Sequence, residues 1–385
     1  MTYICLTYPL ASCINKHKSA GMCHVHRSFP NAISKTRERR RSISNHTNEQ
    51  TALTPEGMVG IIGSGRERML DVVTVGETMV AFEAQGYGPL RENYAFKKWV
   101  GGAEDNVIIG LARLGFRCGW FSRLGDDEFG KEIFRVIRGE GVDVSRVIFD
   151  STAPTGVFFV ERHAEGDFKC YYYRNFSAAT LIAPEDIDQD YIKQAKIVYL
   201  GGIVPIISDS AREATEKIFQ IARANRQTIV FDPNLRLKVC DIATSRSILI
   251  PMMQQSSFVL PGEEELRLLM HCEDLSLAVQ KAHSLGIKIL VIKRGAKGAT
   301  LAAENKEPID VPAFPLKNPI SSMGAGDAFV AGFVAGLLKG QSLEECARWG
   351  NAVGAFCLMG EGPYQTLPGF EELKAFLAGK ADIIR

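Results

Sequence analysis

The sequence contains no apolar run near the roughly 18 residues of a membrane-spanning helix, so no membrane partner is expected. It has almost no net charge, with 45 Lys and Arg against 44 Asp and Glu. That balance gives no reason to expect a nucleic-acid partner. Its nine cysteines (Cys5, Cys13, Cys23, Cys118, Cys170, Cys240, Cys272, Cys346, Cys357) form no C-x-x-C pair. An odd, scattered set reads as reduced thiols and a cytoplasmic location. Cys23, His24 and His26 have no second ligand pair at zinc-site spacing, so no metal centre is expected there. There is also no Walker A motif, which excludes a P-loop nucleotide site.

What is present is an ordinary globular balance, 46% hydrophobic and 23% charged over 385 residues. The charge is unevenly placed. Residues 1–68 carry 10 Lys and Arg, 4 Glu and no Asp, whereas the remainder carries 35 basic and 40 acidic residues. The first segment includes Lys35-Thr36-Arg37-Glu38-Arg39-Arg40-Arg41, is rich in Ser, Thr and Asn, and lacks a sustained helical or strand period. It reads as a disordered basic extension outside the fold. Three origins stay open: an organelle-targeting segment, a basic arm, or a gene-model artefact with the true start at Met58 or Met69.

From Leu70 the chain alternates strand and helix. Asp71–Val75, Cys118–Ser122, Lys196–Leu200, Thr228–Phe231, Phe258–Leu260 and Lys288–Ile292 are short apolar runs. Helical patterns lie near 106–114, 127–138, 208–224, 242–254, 263–270 and 274–285. This order predicts an α/β fold over 69–385: a doubly wound, mostly parallel sheet with helices on both faces and a site at the strand C-terminal ends. Two segments break the rhythm. Thr78–Val100 and Thr155–Arg174 read as strands, the second a hairpin turning at Glu165-Gly166-Asp167, and together they predict a small sheet over the site. Phe158, Val160, Tyr171 and Tyr173 are assigned to one face of this lid, and Val157, Phe159, Cys170 and Tyr172 to the other. An uncovered apolar face predicts a homodimer through the lid.

The strongest chemical pattern is Gly324-Ala325-Gly326-Asp327, followed at once by the apolar helix Ala328–Leu338. Glycine permits close backbone approach, and the free N–H groups of a helix start favour an anion. Gly324, Ala325 and Gly326 can therefore cradle a transferring phosphoryl group. Asp327 can accept a proton from a substrate hydroxyl, although an acidic helix cap would look the same. Gly101 and Gly102 would let a sugar lie against the backbone, with Asn106 bonding its hydroxyls. Tyr172, Tyr173 and Arg174 sit on the lid hairpin, and Arg236 follows a strand ending in Asp232-Pro233-Asn234. Two arginines facing one cavity suit a carboxylate, which guanidinium pairs bidentately.

With Gly101-Gly102-Ala103-Glu104-Asp105-Asn106 and Gly125-Asp126-Asp127-Glu128-Phe129-Gly130 in order before it, the Gly-Ala-Gly-Asp turn makes the chain resemble the ribokinase-type carbohydrate kinases. The resemblance spans about Leu70 to Ala378. Gly88-Pro89-Leu90-Arg91, Tyr172-Tyr173-Arg174 with Ser177-Ala178, and Phe231-Asp232-Pro233-Asn234-Leu235-Arg236 bring it nearest to the 2-keto-3-deoxygluconate kinases. The resemblance implies ATP and Mg²⁺, a sugar-acid substrate, and Asp327 as base. It also implies a nucleotide loop at Lys293, Arg294, Gly295, Ala296, Lys297 and Gly298, and Asn351 near adenine. Glu265 would meet Mg²⁺ through water, although Gly262 stands where the family has Asn. Ser321-Ser322 replaces its usual Asp-Thr, Phe158 a common Tyr, and Glu361 a common substrate-side Asp. Alternatives are a kinase for fructose or 5-dehydro-2-deoxygluconate, or a catalytically weak sugar-binding regulator.

Overall fold

The structure, a computed structural model, describes residues 69–163 and 168–380. The basic extension, the Cys23–His26 group and the hairpin turn at 165–167 lie outside the described residues. Among the described residues fourteen strands follow in chain order: β1 Leu70–Val75, β2 Met79–Tyr87, β3 Phe96–Gly101, β4 Cys118–Phe121, β5 Arg123–Gly125, β6 Ile148–Asp150, β7 Val157–Arg162, β8 Phe168–Tyr173, β9 Ala195–Gly201, β10 Thr228–Asp232, β11 Phe258–Val259, β12 Ile289–Lys293, β13 Ala299–Ala303 and β14 Ile309–Val311.

The main sheet runs β14-β13-β12-β11-β10-β9-β1-β4. Its strands from β4 to β12 are parallel, as the alternating pattern predicts. The antiparallel edge β13–β14 was not read from the sequence. Because side chains alternate across a strand, each inner strand feeds two cores. Val72, Tyr199 and Val230 pack on one face with the helices Ala103–Arg113, Glu128–Gly139, Ala325–Leu338 and Leu343–Leu358. Val73, Val198 and Phe231 pack on the other with Asp209–Ala224, Ile242–Gln255, Glu263–Met270 and Leu275–Ser284. The helix Ala325–Leu338 is buried along ten consecutive residues, Ala328 to Leu337. It lies so close to its neighbour that a Cβ on Gly332 would fall 2.5 Å from the Trp349 carbonyl oxygen.

A second sheet, β3-β2-β7-β8, forms the predicted lid. Its register corrects the face assignment. Phe158 pairs with Tyr172 and Val160 with Cys170, while Phe159 pairs with Tyr171 and Val157 with Tyr173. The sequence reading slipped β8 by one residue. In a two-residue repeat such a slip exchanges every side chain between faces, and only the turn geometry fixes it. Phe158, Cys170 and Tyr172 therefore share the inner face with Met79 and Trp99.

Candidate active site

At the C-terminal ends of the parallel strands, beside the lid, lies a cavity of about 1080 Å³. Its floor is the start of the helix Ala325–Leu338. Gly324 is left-handed there (φ 80°), and a Cβ would fall 2.5 Å from that of Pro363, so only glycine fits. Ala328 is the first residue whose N–H reaches back along the helix, to Gly324 at 2.8 Å. The N–H groups of Gly326 and Asp327 precede it at the positive end of the helix dipole, and both residues line the cavity.

Asp327 Oδ2 accepts a 2.8 Å hydrogen bond from Asn106 Nδ2. Asn106 comes from the first turn of the helix Ala103–Arg113, which begins three residues earlier than its apolar spacing suggests. Burial pushes the Asp327 carboxyl up to about 7, the Asn106 bond opposes this, and the Asp232 charge adds to it. That places it where a general base works near neutrality. Glu104 and Asp105 share this helix start. Burial lifts Glu104 to about 8 and also raises Asp105, whose Oδ1 accepts from Thr78 Oγ1 at 3.0 Å.

One end of the cavity is built by this second sheet. Phe158, Tyr172 and Arg174 line the cavity, and the Arg174 guanidinium lies 5.6 Å over the Tyr172 ring. Arg174 Nε donates to Glu77 Oε1 at 3.1 Å, and Nη2 pairs with Oε2 of the same carboxylate. Burial, then Arg236 nearby, lowers Arg174 to about 10, still fully charged at neutral pH. Arg236 is exposed and lines the same cavity. Gly102 lines it too, and its lack of a side chain serves the protein's own packing: a Cβ would sit 2.2 Å from the Glu77 carbonyl oxygen.

The other end is apolar, with Ala313, Phe314, Leu316, Ile320 and Leu358 among its walls. Lys293, Gly295, Ala296 and Gly298 of the predicted nucleotide loop face it. Asn351 lines it as well, and its Nδ2 ties down the Val311 and Pro312 carbonyls at 3.0 and 3.1 Å. Glu265 also lines the cavity. Its Oε2 accepts from the Gly262 N–H at 2.7 Å, and burial raises its pKa.

Four predicted residues are not brought to the cavity wall. Tyr173 is 67% exposed on the outer lid face, edge-on to Phe159, a consequence of the register. Glu361 pairs with Lys97 at 2.8 Å on the surface. Arg294 turns away to Glu263, Thr300 and Asp310. Lys297 is exposed outside the lining. Sequence reasoning missed Glu77 and Trp99 at the wall and gave no role to Asp232, although a charged residue at the end of a parallel strand marks it.

Residues 69–368 match the family model for pfkB family carbohydrate kinases. The chain belongs to this family. It is 34% identical over 316 residues to a 2-dehydro-3-deoxygluconokinase of Bacillus subtilis (strain 168), covering 82% of this chain and 97% of that one. A protein of the same name from Thermoproteus tenax is 35% identical, covering 81% and 95%. A provisionally named Ribokinase II from E. coli, solved in complex with ATP and Mg²⁺, superposes with a TM-score of 0.75 at 26% identity. It covers 81% of this chain and 100% of that one. The protein is thus a sugar kinase with a ribokinase-type fold. Among its described residues no helix is long and apolar enough to cross a membrane.

Proposed function

We propose that this kinase transfers the γ-phosphoryl group of ATP to 2-keto-3-deoxy-D-gluconate, giving the 6-phosphate and ADP. The observation that carries the reading is one cavity lined by both Asp327, at an anion-binding helix start, and the arginines Arg174 and Arg236. Asp327 takes the proton of the 6-hydroxyl. The oxygen bonds to the γ-phosphorus as the bond to the ADP oxygen breaks. The N–H groups of Gly324 and Gly326 face the charge on the phosphoryl oxygens, while that of Ala325 donates to the Ser322 carbonyl oxygen at 3.3 Å. Such transfers depend on alignment and electrostatics more than on covalent chemistry by the protein. The lid excludes water, which would otherwise accept the group.

Arg236 and the free edge of Arg174 hold the substrate carboxylate, and Phe158, Tyr172, Gly102 and Asn106 line the sugar's place. The names borne by the relatives support this choice. For Mg²⁺, Glu265 offers a hard oxygen donor at the wall. No group of three acidic, His or Cys side chains forms a cage among the described residues. That suits an ion carried mainly by phosphate oxygens and water, with Glu265 reaching it through water. When bound, Mg²⁺ neutralises the β- and γ-oxygens.

The outer lid face, with Phe159, Tyr171 and the exposed Tyr173, serves as the interface of a homodimer. Phe159→Glu should then shift a dimer to monomer in sedimentation, and a parent that is itself monomeric contradicts this. The reaction is tested by phosphorus NMR of the product. A 6-phosphate formed one-for-one with ADP supports it, and no sugar phosphate formed from 2-keto-3-deoxygluconate refutes it.

A further inference from the structure

Lys293 ends β12 and Asp232 ends β10, with the two-residue β11 between them. Neighbouring strands lie about 4.8 Å apart, so only a long side chain can bridge the gap. Lys293 does so. Its Nζ meets Asp232 Oδ2 at 2.5 Å, where Asp232 is fully buried and Lys293 only 15% exposed. Asp232 is fixed in turn, its Oδ1 accepting the Asn234 N–H at 3.1 Å.

Such a pair could be purely structural, but its position argues otherwise. Lys293 lines the active-site cavity, whereas its loop neighbour Arg294 is tied up outside it. Lys293 Nζ lies 3.6 Å from where a Cβ on Gly326 would be. The ammonium therefore faces bare backbone at the first turn of the anion-binding helix. Burial disfavours its charge, but Asp232, Glu265 and Asp327 outweigh that, so its pKa is raised and it stays protonated. An ammonium has three N–H donors and Asp232 takes one. The carboxylates of Glu265 and Asp327 line a cavity that receives a polyphosphate, and they would repel it. A fixed cation among them removes that obstacle.

We propose that Lys293 is a catalytic residue that contacts the transferring phosphoryl group, and that Asp232 is the positioning residue that holds it. This rests on the kinase reading and goes beyond a general role of Lys293 in the nucleotide loop. Losing one charge-stabilising donor in such a site costs roughly 100- to 1000-fold in rate. Lys293→Met should show a fall of that size in kcat, with the KM for the sugar within about threefold of the parent's.

The deciding experiment is calorimetric titration of the full chain with ADP and with the non-hydrolysable ATP analogue AMP-PNP. It needs neither turnover nor the right sugar. The parent should prefer AMP-PNP to ADP, and Lys293→Met should lose that preference while still binding ADP. Lys293→Arg, which keeps the charge, should retain part of it. Should Lys293→Met fail to fold because Asp232 is left unpaired, the neutral pair Lys293→Met with Asp232→Asn provides the same reading. A Met variant that keeps the parent's preference, or a parent with no preference, overturns the proposal. A parent that binds both nucleotides but phosphorylates no sugar overturns the kinase reading alone.

Discussion

Asn106 and Asp327 stand 221 residues apart in the chain, and their side chains meet at 2.8 Å. The bond joins the starts of two helices on one face of the sheet, and it holds the carboxylate that the proposed chemistry needs. Replacing Asp327 with Asn keeps the shape and removes the base. Turnover should fall at least about 100-fold, while sugar affinity measured by calorimetry stays near the parent's. A variant within a few-fold of the parent would reduce Asp327 to a helix cap.

The rate should depend on pH in a particular direction. Burial raises Asp327 to about 7, and the base acts as the carboxylate. The kcat/KM profile for the sugar, which reports the free enzyme, should therefore drop about tenfold per pH unit below that point and level off above it. Asn106 opposes the upward shift, so Asn106→Ala should move the falling limb to higher pH. A limb unmoved by that change would separate Asn106 from the base.

Arg174 and Arg236 should answer to the sugar acid and not to ATP. Losing a charge-assisted hydrogen bond costs about 1.5–3 kcal/mol, roughly 10- to 150-fold in affinity. Alanine at either position should raise the sugar-acid KM by that order and leave the ATP KM within about threefold. Glu77→Gln should act in the same direction as Arg174→Ala, since Glu77 holds two nitrogens of that guanidinium. Steady-state kinetics varying each substrate in turn separates the two effects.

Glu104 supplies a stability test. Its two oxygens are buried without a hydrogen-bond partner, and a Cβ on Gly201 would lie 2.0 Å from Oε1. Burial raises its pKa from 4.5 to about 8, so the folded state holds the proton more tightly than the unfolded chain. That contribution is complete below pH 4.5 and is lost as pH rises through about 8. Glu104→Gln imitates the protonated form. Its Tm relative to the parent should rise between pH 5 and pH 8.5, by differential scanning fluorimetry. A difference that is flat with pH would mean Glu104 is ionised throughout.

Much of this site could be read from local sequence. The Gly-Ala-Gly-Asp turn works through backbone conformation and a helix start, both properties of adjacent residues. The alternating apolar runs likewise placed Arg236 at a strand end. What escaped depends on partners far away in the chain. Glu361 resembled a cavity acid until Lys97, 264 residues distant, took it to the surface. Lys293 and Arg294 are adjacent basic residues, yet one faces the cavity and the other does not, because β12 ends with its last side chain turned inward. The faces of β7 and β8 hung on a turn whose length cannot be judged from apolar alternation alone.

The most direct test of the central claim is a comparison of kcat/KM on 2-keto-3-deoxygluconate, its galactonate epimer, 5-dehydro-2-deoxygluconate, fructose and ribose, followed by coupled ADP release. Two guanidinium groups on one carboxylate predict that the keto-acid is preferred over the neutral sugars by at least roughly 100-fold. Equal values for fructose and the keto-acid would contradict the sugar-acid assignment.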